Sequence, residues 1–390
     1  MLPPDVTRSG RPSTARPPRR SRIGLVAGLT LAAACGGSDP IRIGLTGPFE
    51  EPRAQSLRLA VELAVREIND SGGVRGRPLE LVIEDDHGNA ERAVETARRF
   101  YADPAVVAVV GHLASGTTLA ASPVYNGGLN PLPVISPSAS SPVLTDAGPY
   151  TFRVCPTDLV HGARLAAWAT AQLRATRAAV LYLNDDYGRG VRSVFIREFT
   201  GRNGQIVADD PYLEDLPSFL PYLERIRRRG GADVLLIAGT RTGAERILAT
   251  LDSATLRPAV MGGDGLAGIE AAGAAAEGVF ISTAYLPDRP GTRNAAFVRA
   301  YRAAYSNQDP DHRGAAGYDA IHLLARAIAE AGADRAKVRD YLATVGTSTP
   351  AFEGVTGRIA FDEHGDVPDK DVVIGLVRGG RLVTAPERRP

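Results

Sequence analysis

The stretch VVAVVGHLASGTT, residues 106–118, contains the pattern that decides the fold. A short apolar strand ends at a glycine, and a hydroxyl-rich turn follows that opens into a helix start at residues 119–121. Such a turn offers free backbone N–H groups and the positive end of a helix, and both suit a small anion such as a carboxylate. The stretch therefore predicts an α/β unit with an anion site behind its strand.

The same alternation of strand and helix extends in both directions along the chain. Apolar alternation predicts strands at residues 41–46 and 79–84, and helical spacing predicts a helix at residues 90–101. The cycle restarts after residue 153, and a later helical pattern covers residues 318–331. Strands and helices that alternate at these spacings favour parallel sheets. We predict two similar α/β units and a shared C-terminal stretch.

Length, composition and charge limit the class of protein. A chain of 390 residues favours two domains or lobes, and two cysteines exclude a disulfide framework. The first 34 residues hold six arginines and one aspartate. Their removal leaves 39 basic and 43 acidic residues and changes the formal net charge from +1 to −4. A chain with this charge has no basic stripe for nucleic acid.

The N-terminus has the pattern of an export signal. An arginine-rich region precedes an apolar run at residues 23–34, which is too short to span a bilayer as a stable anchor. Cys35 directly follows three alanines and resembles the cysteine of a bacterial lipobox, which becomes lipidated. We predict a lipoprotein signal peptide and lipobox at residues 1–35, a tether at 36–40, and an extracytoplasmic, membrane-anchored protein. A plain signal peptide with an incidental cysteine is the alternative.

Different polar groups follow the strand ends of the two units. Ligands of open parallel sheets bind outside the carboxyl ends of the strands. In the first unit the loops at residues 112–118 and 137–142 supply hydroxyl and backbone N–H groups, which suit an anion. In the second unit the loops at residues 184–188 and 262–265 supply an aromatic hydroxyl and carboxylates, which suit a cation. Two lobes that close on a zwitterion would use both sets.

Nine short motifs occur in order along residues 41–390, and they carry a resemblance to a known family. The chain resembles the two-lobed solute-binding proteins of ABC importers for leucine, isoleucine, valine and related amino acids. The motifs are IRIGLTGP (41–48), INDSGGVRG (68–76), GHLASGTT (111–118), ISPSASSP (135–142), FRVCPTD (152–158), DYGRG (186–190), MGGDG (261–265), GYDA (317–320) and FDEHG (361–365).

This resemblance implies a Venus-flytrap fold, the periplasmic binding protein type I fold, in which each lobe is a mostly parallel sheet flanked by helices. We place three interlobe crossings near Pro156, Ala284 and Asp369. The N-terminal lobe would then comprise residues 41–156 plus 285–368, and the C-terminal lobe residues 157–284 plus 369–390. The resemblance also implies a monomer that binds a small solute without a cofactor or metal and delivers it to an ABC permease in the membrane.

The resemblance further implies a ligand site. Ser115 and Ser140 would hold the ligand carboxylate through hydroxyl and backbone N–H groups. Ser138 would offer its backbone carbonyl to the α-ammonium, Asp264 would supply the carboxylate paired with it, and Tyr187 would close over the ligand from the second lobe. The implied ligand-binding residues are Ser115, Ser138, Ala139, Ser140, Tyr187, Thr240 and Asp264.

The chain departs from the family pattern around the ligand's side chain. The loop after Phe49 is shorter than in the family, and the charged residues Glu50, Glu51 and Arg53 stand in place of an aromatic contact. Thr240 lies where the family often has an aromatic residue, and Gly88 and Ala114 lie where the best-known members have a disulfide. A branched-chain amino acid, a polar amino acid, an amide and a small carboxylate therefore all remain open as ligands.

Other reactive side chains have simpler interpretations. We expect Cys155 to be a small buried residue rather than a nucleophile, and His112 to make a structural hydrogen bond. We expect Arg313 on the surface; facing the cleft, it would favour an acidic ligand. The sequence has no G-x-G-x-x-G after the first strand, no P-loop and no G-x-S-x-G, which argues against an enzyme. A sensor for an amide or small carboxylate, coupled to a signalling receptor, is the alternative to transport.

Overall fold

A computed structural model describes residues 39–387. The predicted signal peptide, its lipobox cysteine Cys35 and residues 36–38 of the predicted tether lie outside the described residues. The last part of the tether is held by Arg77, whose Nε donates to the carbonyl of Asp39 at 2.8 Å. Between residues 39 and 387, no helix is both long enough and apolar enough to cross a membrane.

The first α/β unit contains a five-stranded sheet with helices on both faces. The strand order is second, first, third, fourth, fifth, and every neighbouring pair is parallel. The elements in chain order are β1 (Ile41–Gly47), α1 (Pro52–Asp70), β2 (Leu79–Asp85), α2 (Ala90–Ala102), β3 (Val106–Val110), α3 (Ser115–Asn126), β4 (Val134–Ser136) and β5 (Thr151–Arg153).

The second unit begins immediately after β5 and repeats the same alternation. Its elements are α4 (Asp158–Ala171), β6 (Arg177–Leu183), α5 (Asp186–Thr200), β7 (Gln205–Tyr212), α6 (Leu220–Arg228), β8 (Val234–Ala238), α7 (Arg241–Leu251), β9 (Ala259–Gly262) and β10 (Phe280–Thr283). Short 3-10 helices lie at Pro142–Asp146, between β4 and β5 of the first unit, and at Asp264–Leu266 and Ile269–Ala276 in the second unit.

The C-terminal stretch contributes to both units. Its elements are α8 (Thr292–Ala304), α9 (His312–Ala331), α10 (Arg335–Thr344), β11 (Phe352–Gly354), β12 (Gly357–Ile359), β13 (Val373–Arg378) and β14 (Arg381–Thr384). The last two strands extend the second sheet, whose order is β14-β13-β10-β9-β8-β6-β7. This sheet is mixed, because β13 runs antiparallel to both β10 and β14.

Helix α9 belongs to the first unit because its apolar face packs into that unit's core. Ile321, Leu324 and Ile328 cluster with Ile43 of β1 and Leu57 of α1, and each of these side chains is at most 1% exposed in this core. The second sheet has separate apolar clusters on its two faces. The predicted two-lobed α/β fold is therefore confirmed, whereas the three crossings and the lobe boundaries remain predictions of the sequence.

Candidate functional site

The carboxyl ends of the two sheets meet at a cleft that contains two adjoining cavities. The larger cavity has a volume of about 600 Å³ and is lined by Gly116 of the first lobe and Leu183 of the second, among others. The smaller cavity has a volume of about 50 Å³ and is lined by Ser115, Ser138 and Asp264, among others. Thr240 lines both cavities. Side chains from both lobes therefore surround one continuous space.

Helix α3 points an uncapped N-terminus at this space. Its N-cap residue is Ala114, whose methyl side chain cannot accept a hydrogen bond, and Thr118 makes the first hydrogen bond of the helix, to the Ala114 carbonyl at 3.0 Å. The backbone N–H groups of residues 115–117 therefore have no acceptor within the helix. Ser115 is 3% exposed, and its hydroxyl oxygen accepts the N–H of Ser141 at 3.2 Å. The helix end is a site suited to a carboxylate.

Two of the predicted ligand-binding residues lie behind the cavity wall. Ala139 and Ser140 are fully buried and line neither cavity. The Ser140 carbonyl accepts the N–H of Asp158 at 2.8 Å, and the neighbouring Ser141 carbonyl accepts from Arg153 at 2.7 Å. These bonds fix the loop after β4 against the start of α4. The roles of Ala139 and Ser140 toward a ligand remain predictions.

Tyr187 and Asp264 form a hydrogen-bonded pair on the second lobe. The Tyr187 hydroxyl donates to Asp264 Oδ1 at 3.0 Å and accepts the N–H of Gly265 at 2.8 Å. A Cβ atom at Gly263 would lie 2.3 Å from the Tyr187 oxygen, and one at Gly265 would lie 2.7 Å from the Tyr187 ring. The glycines of the MGGDG motif are thus required for the tyrosine to reach the aspartate.

Asp264 lies in a positively polarised setting. It is 3% exposed, with His312 Nε2 at 3.5 Å and His161 Nε2 at 3.9 Å from Oδ2. Burial by itself raises the pKa of this carboxyl, but His161, His312 and Arg313, together with the Tyr187 hydrogen bond, outweigh burial and hold the pKa below its ordinary value. Asp264 is therefore ionised at neutral pH and could pair with an ammonium group.

Arg313 corrects the expectation of a surface arginine, because it is only 4% exposed and lines the smaller cavity. One of its terminal nitrogens donates to Asp311 Oδ2 at 3.1 Å, and the other donates to the backbone carbonyl of Asp264 at 3.1 Å. Asp311 caps α9 by accepting the N–H groups of Arg313 and Gly314. The sequence could have revealed this cap, but not that the first turn of α9 lies against the cleft.

Thr240 and Asp185 have local structural roles as well as cavity positions. The Thr240 oxygen accepts the N–H of Gly243 and caps α7, and its hydroxyl donates to Glu214. Asp185 caps α5 by accepting the N–H of Gly188 at 2.7 Å. Glu214 follows β7 and lines the larger cavity, and no motif in the sequence signals it.

The expectations for His112 and Cys155 are confirmed. His112 is fully buried between Asp86, at 2.6 Å, and the hydroxyl of Tyr125, at 3.1 Å. Burial raises the pKa of the Cys155 thiol to about 12, so the thiolate that a nucleophile needs is not formed at neutral pH.

One group of side chains could hold a metal ion in the described part of the chain. Ligand atoms of Glu50, Asp85 and His87 lie within 4.8 Å of one another near the cleft rim. Glu50 and His87 are exposed, and both oxygens of Asp85 already accept backbone N–H groups, from His87 and Glu50. We therefore interpret these three residues as a polar turn rather than as a metal site.

Two α/β lobes with a polar cleft between them form an architecture that is found in solute-binding proteins. The sequence profile of the periplasmic binding protein family matches residues 40–381, and the chain belongs to this family. Members of this family are solute-binding proteins rather than enzymes, and they act outside the cytoplasm.

Similar proteins agree with this assignment. The Leu/Ile/Val-binding protein homolog 1 of Brucella abortus is 28% identical over 355 residues, which cover 88% of this chain and 92% of the relative. The branched-chain amino acid transporter substrate-binding protein of Streptococcus pneumoniae, solved with isoleucine, is 26% identical with a TM-score of 0.81 and covers 90% of this chain and 100% of its own. An ABC transporter substrate-binding protein of Desulfitobacterium hafniense, solved with leucine, is 31% identical with a TM-score of 0.77, over 89% and 100% of the chains.

Proposed function

We propose that this protein captures an α-amino acid in the interlobe cleft and delivers it to an ABC permease. One observation carries the proposal: a helix end with free N–H donors and a buried, ionised carboxylate line the same small cavity. A carboxylate fits the N-terminus of α3 at Ser115, and an ammonium fits Asp264. The similarity to binding proteins solved with isoleucine and leucine supports an amino acid as the ligand.

Closure of the lobes would couple binding to delivery. Ser115 and Ser138 come from the first lobe, whereas Tyr187, Thr240 and Asp264 come from the second. A ligand that bridges both sets favours the closed arrangement, since only that arrangement makes all of the contacts. The buried ammonium needs the Asp264 carboxylate, because an unpaired charge in the cleft would be costly.

The route to the membrane completes the proposal. Export through the N-terminal signal and lipidation of Cys35 would hold a monomeric protein at the membrane surface, next to the permease. Metabolic labelling with a fatty acid tests this part: incorporation that is lost in Cys35→Ser supports it, and equal incorporation in both proteins refutes it.

A thermal-shift screen against the twenty amino acids tests ligand capture. A ligand at about a hundred times its dissociation constant should add roughly 2.7 kcal/mol to the free energy of unfolding, which is a readily measured shift. Stabilisation by one or a few α-amino acids is the expected result. No stabilisation by any α-amino acid, with a shift from a simple amide or monocarboxylate, would overturn the proposal.

A further inference from the structure

We infer that the bound amino acid carries a carboxylate or amide oxygen on its side chain and that the guanidinium groups of Arg313 and Arg53 select it. This inference rests on the proposed function, because it assumes that the ligand's own carboxylate and ammonium occupy α3 and Asp264. An acidic amino acid fits best, and its amide is the neutral equivalent.

Arg313 is the first support. Its side chain is among the least exposed charged groups of the described chain and lines the smaller cavity beside Asp264. Its two terminal nitrogens carry two N–H groups each and have one acceptor each, Asp311 and the Asp264 carbonyl, so each retains a second N–H. A buried guanidinium with unpaired N–H groups is unfavourable, and a ligand oxygen in the cavity would give these groups an acceptor.

Arg53 is the second support, and it reaches the same space from the other lobe. It lies in the first turn of α1 and lines both cavities. Glu51 anchors the guanidinium at one edge, with 2.6 Å between Arg53 Nε and Glu51 Oε2. Gly88 leaves room beside it, since a Cβ atom there would lie 3.0 Å from a terminal nitrogen of Arg53.

Two guanidinium groups, those of Arg53 and Arg313, line the smaller cavity. A guanidinium has five N–H donors and no acceptor. The two carboxylates that line the smaller cavity already accept hydrogen bonds, Asp185 from Gly188 and Asp264 from Tyr187. A ligand oxygen would supply these guanidinium groups with an acceptor, and a carboxylate can accept two parallel bonds from one guanidinium.

An aliphatic side chain fits this lining less well. Leu113 and Ala114 are the aliphatic side chains among the described residues that line the smaller cavity. A branched hydrocarbon placed here would displace water from two guanidinium groups without replacing its hydrogen bonds, and this loss disfavours binding. The inferred ligand therefore differs from the isoleucine and leucine with which the similar binding proteins were solved.

Calorimetry with L-glutamate, L-glutamine and L-leucine tests the inference. We expect glutamate or glutamine to bind at least about tenfold more tightly than leucine, the difference that one charge-assisted hydrogen bond provides. Arg313 also supports Asp264, so Arg313→Met can weaken both ligands, but it should lower the ratio of glutamate to leucine affinity about tenfold or more. Arg228→Met, in an exposed ion pair with Glu224 on α6, is the matched control and should change neither.

Arg53→Met gives a second, independent variant, which serves if Arg313→Met fails to fold. It should reduce the preference for glutamate or glutamine over leucine in the same direction. Leucine binding as tightly as both polar ligands, or a preference unchanged in the folded arginine variants, would overturn the inference and leave the proposed function standing. Failure of all three amino acids and of the remaining α-amino acids to bind would overturn both.

Discussion

At the scale of single residues, Asp264 concentrates the electrostatics of the cleft. The carboxylate is buried, it accepts a hydrogen bond from Tyr187, and two imidazole nitrogens lie within 3.9 Å of its other oxygen. These contacts keep the Asp264 carboxyl ionised, and the residue lines the smaller cavity. The residue is therefore the one whose loss should matter most for binding.

Substitution of Asp264 should remove most of the affinity for an amino acid. Asp264→Ala leaves the ligand ammonium buried without its partner, and such a loss costs about 2–5 kcal/mol, or roughly thirtyfold or more in affinity. Titration calorimetry of the best ligand measures it, with Asp252→Ala in an exposed ion pair as the control. Equal affinity in Asp264→Ala and wild type would refute the assignment.

Two substitutions of Ser115 separate its hydroxyl from its backbone donor. Ser115→Ala keeps the N–H group and should weaken binding only a few fold, less than Asp264→Ala does. Ser115→Pro removes the N–H as well, and proline is tolerated at the first position of a helix after an extended residue such as Ala114. The proline variant should bind about tenfold more weakly than the alanine variant. Equal affinities in calorimetry would contradict the backbone-donor site.

His312 should make the folded protein sensitive to mild acid. Burial, and next to it the Arg313 charge, lower the pKa of His312 to about 4, against 6.5 in the unfolded chain. The unfolded state therefore binds more protons between these values, and stability falls as the pH drops from about 6.5 toward 4. Between pH 7 and pH 5 this histidine alone should cost about 2 kcal/mol.

Chemical denaturation of wild type and His312→Gln at both pH values measures this effect. The glutamine variant should lose less stability than wild type over the same pH interval, because the side chain at position 312 no longer binds a proton. An identical loss in both proteins would show that His312 does not carry the pH dependence.

At the scale of secondary-structure elements, α9 links the core of the first lobe to the cleft. Its apolar face buries Leu324 to 1% exposure, while its first turn places His312 and Arg313 beside Asp264. The apolar pattern predicts the helix at residues 318–331, but the helix begins at His312. Glycine and polar residues in the first turns obscure the apolar period, and the Asp311 cap alone marks the true start.

Loss of packing on α9 should destabilise the fold. Leu324→Ala removes a fully buried side chain, and such substitutions cost about 2–5 kcal/mol. Leu129→Ala is the matched control, because Leu129 is entirely exposed and its loss should change stability by less than about 0.5 kcal/mol. Urea unfolding compares the two variants, and equal midpoints would contradict the packing of α9.

The sequence predicts elements well where apolar spacing is regular and poorly where contacts are long-range. Strands β1 and β2 and helix α2 begin at the predicted residues and end within one residue of the predicted ends. The three-residue strand β5 and the 3-10 helices carry too few residues for a period to emerge. The position of Arg313 was predicted wrongly, since the burial of an arginine depends on which lobe its helix end meets.

At the scale of the whole molecule, the two lobes divide the recognition of a zwitterion. The first lobe supplies helix-end donors at α3, and the second supplies Tyr187 and Asp264. Either half is an ordinary strand-end loop, and only the juxtaposition of the lobes makes a site that holds both charges. The family resemblance predicted that the two lobes meet in this way. Spacing and composition alone indicated only that the chain contains both anion-binding and cation-binding groups.

Calorimetric titration with the best-binding amino acid and its two single-charge analogues tests this central claim most directly. One analogue lacks the α-ammonium and the other lacks the α-carboxylate. We predict that each analogue binds at least about thirtyfold more weakly than the amino acid, because each leaves one lobe's charged or donor groups without a partner. Binding of either analogue as tightly as the amino acid would contradict the division of the zwitterion between the lobes.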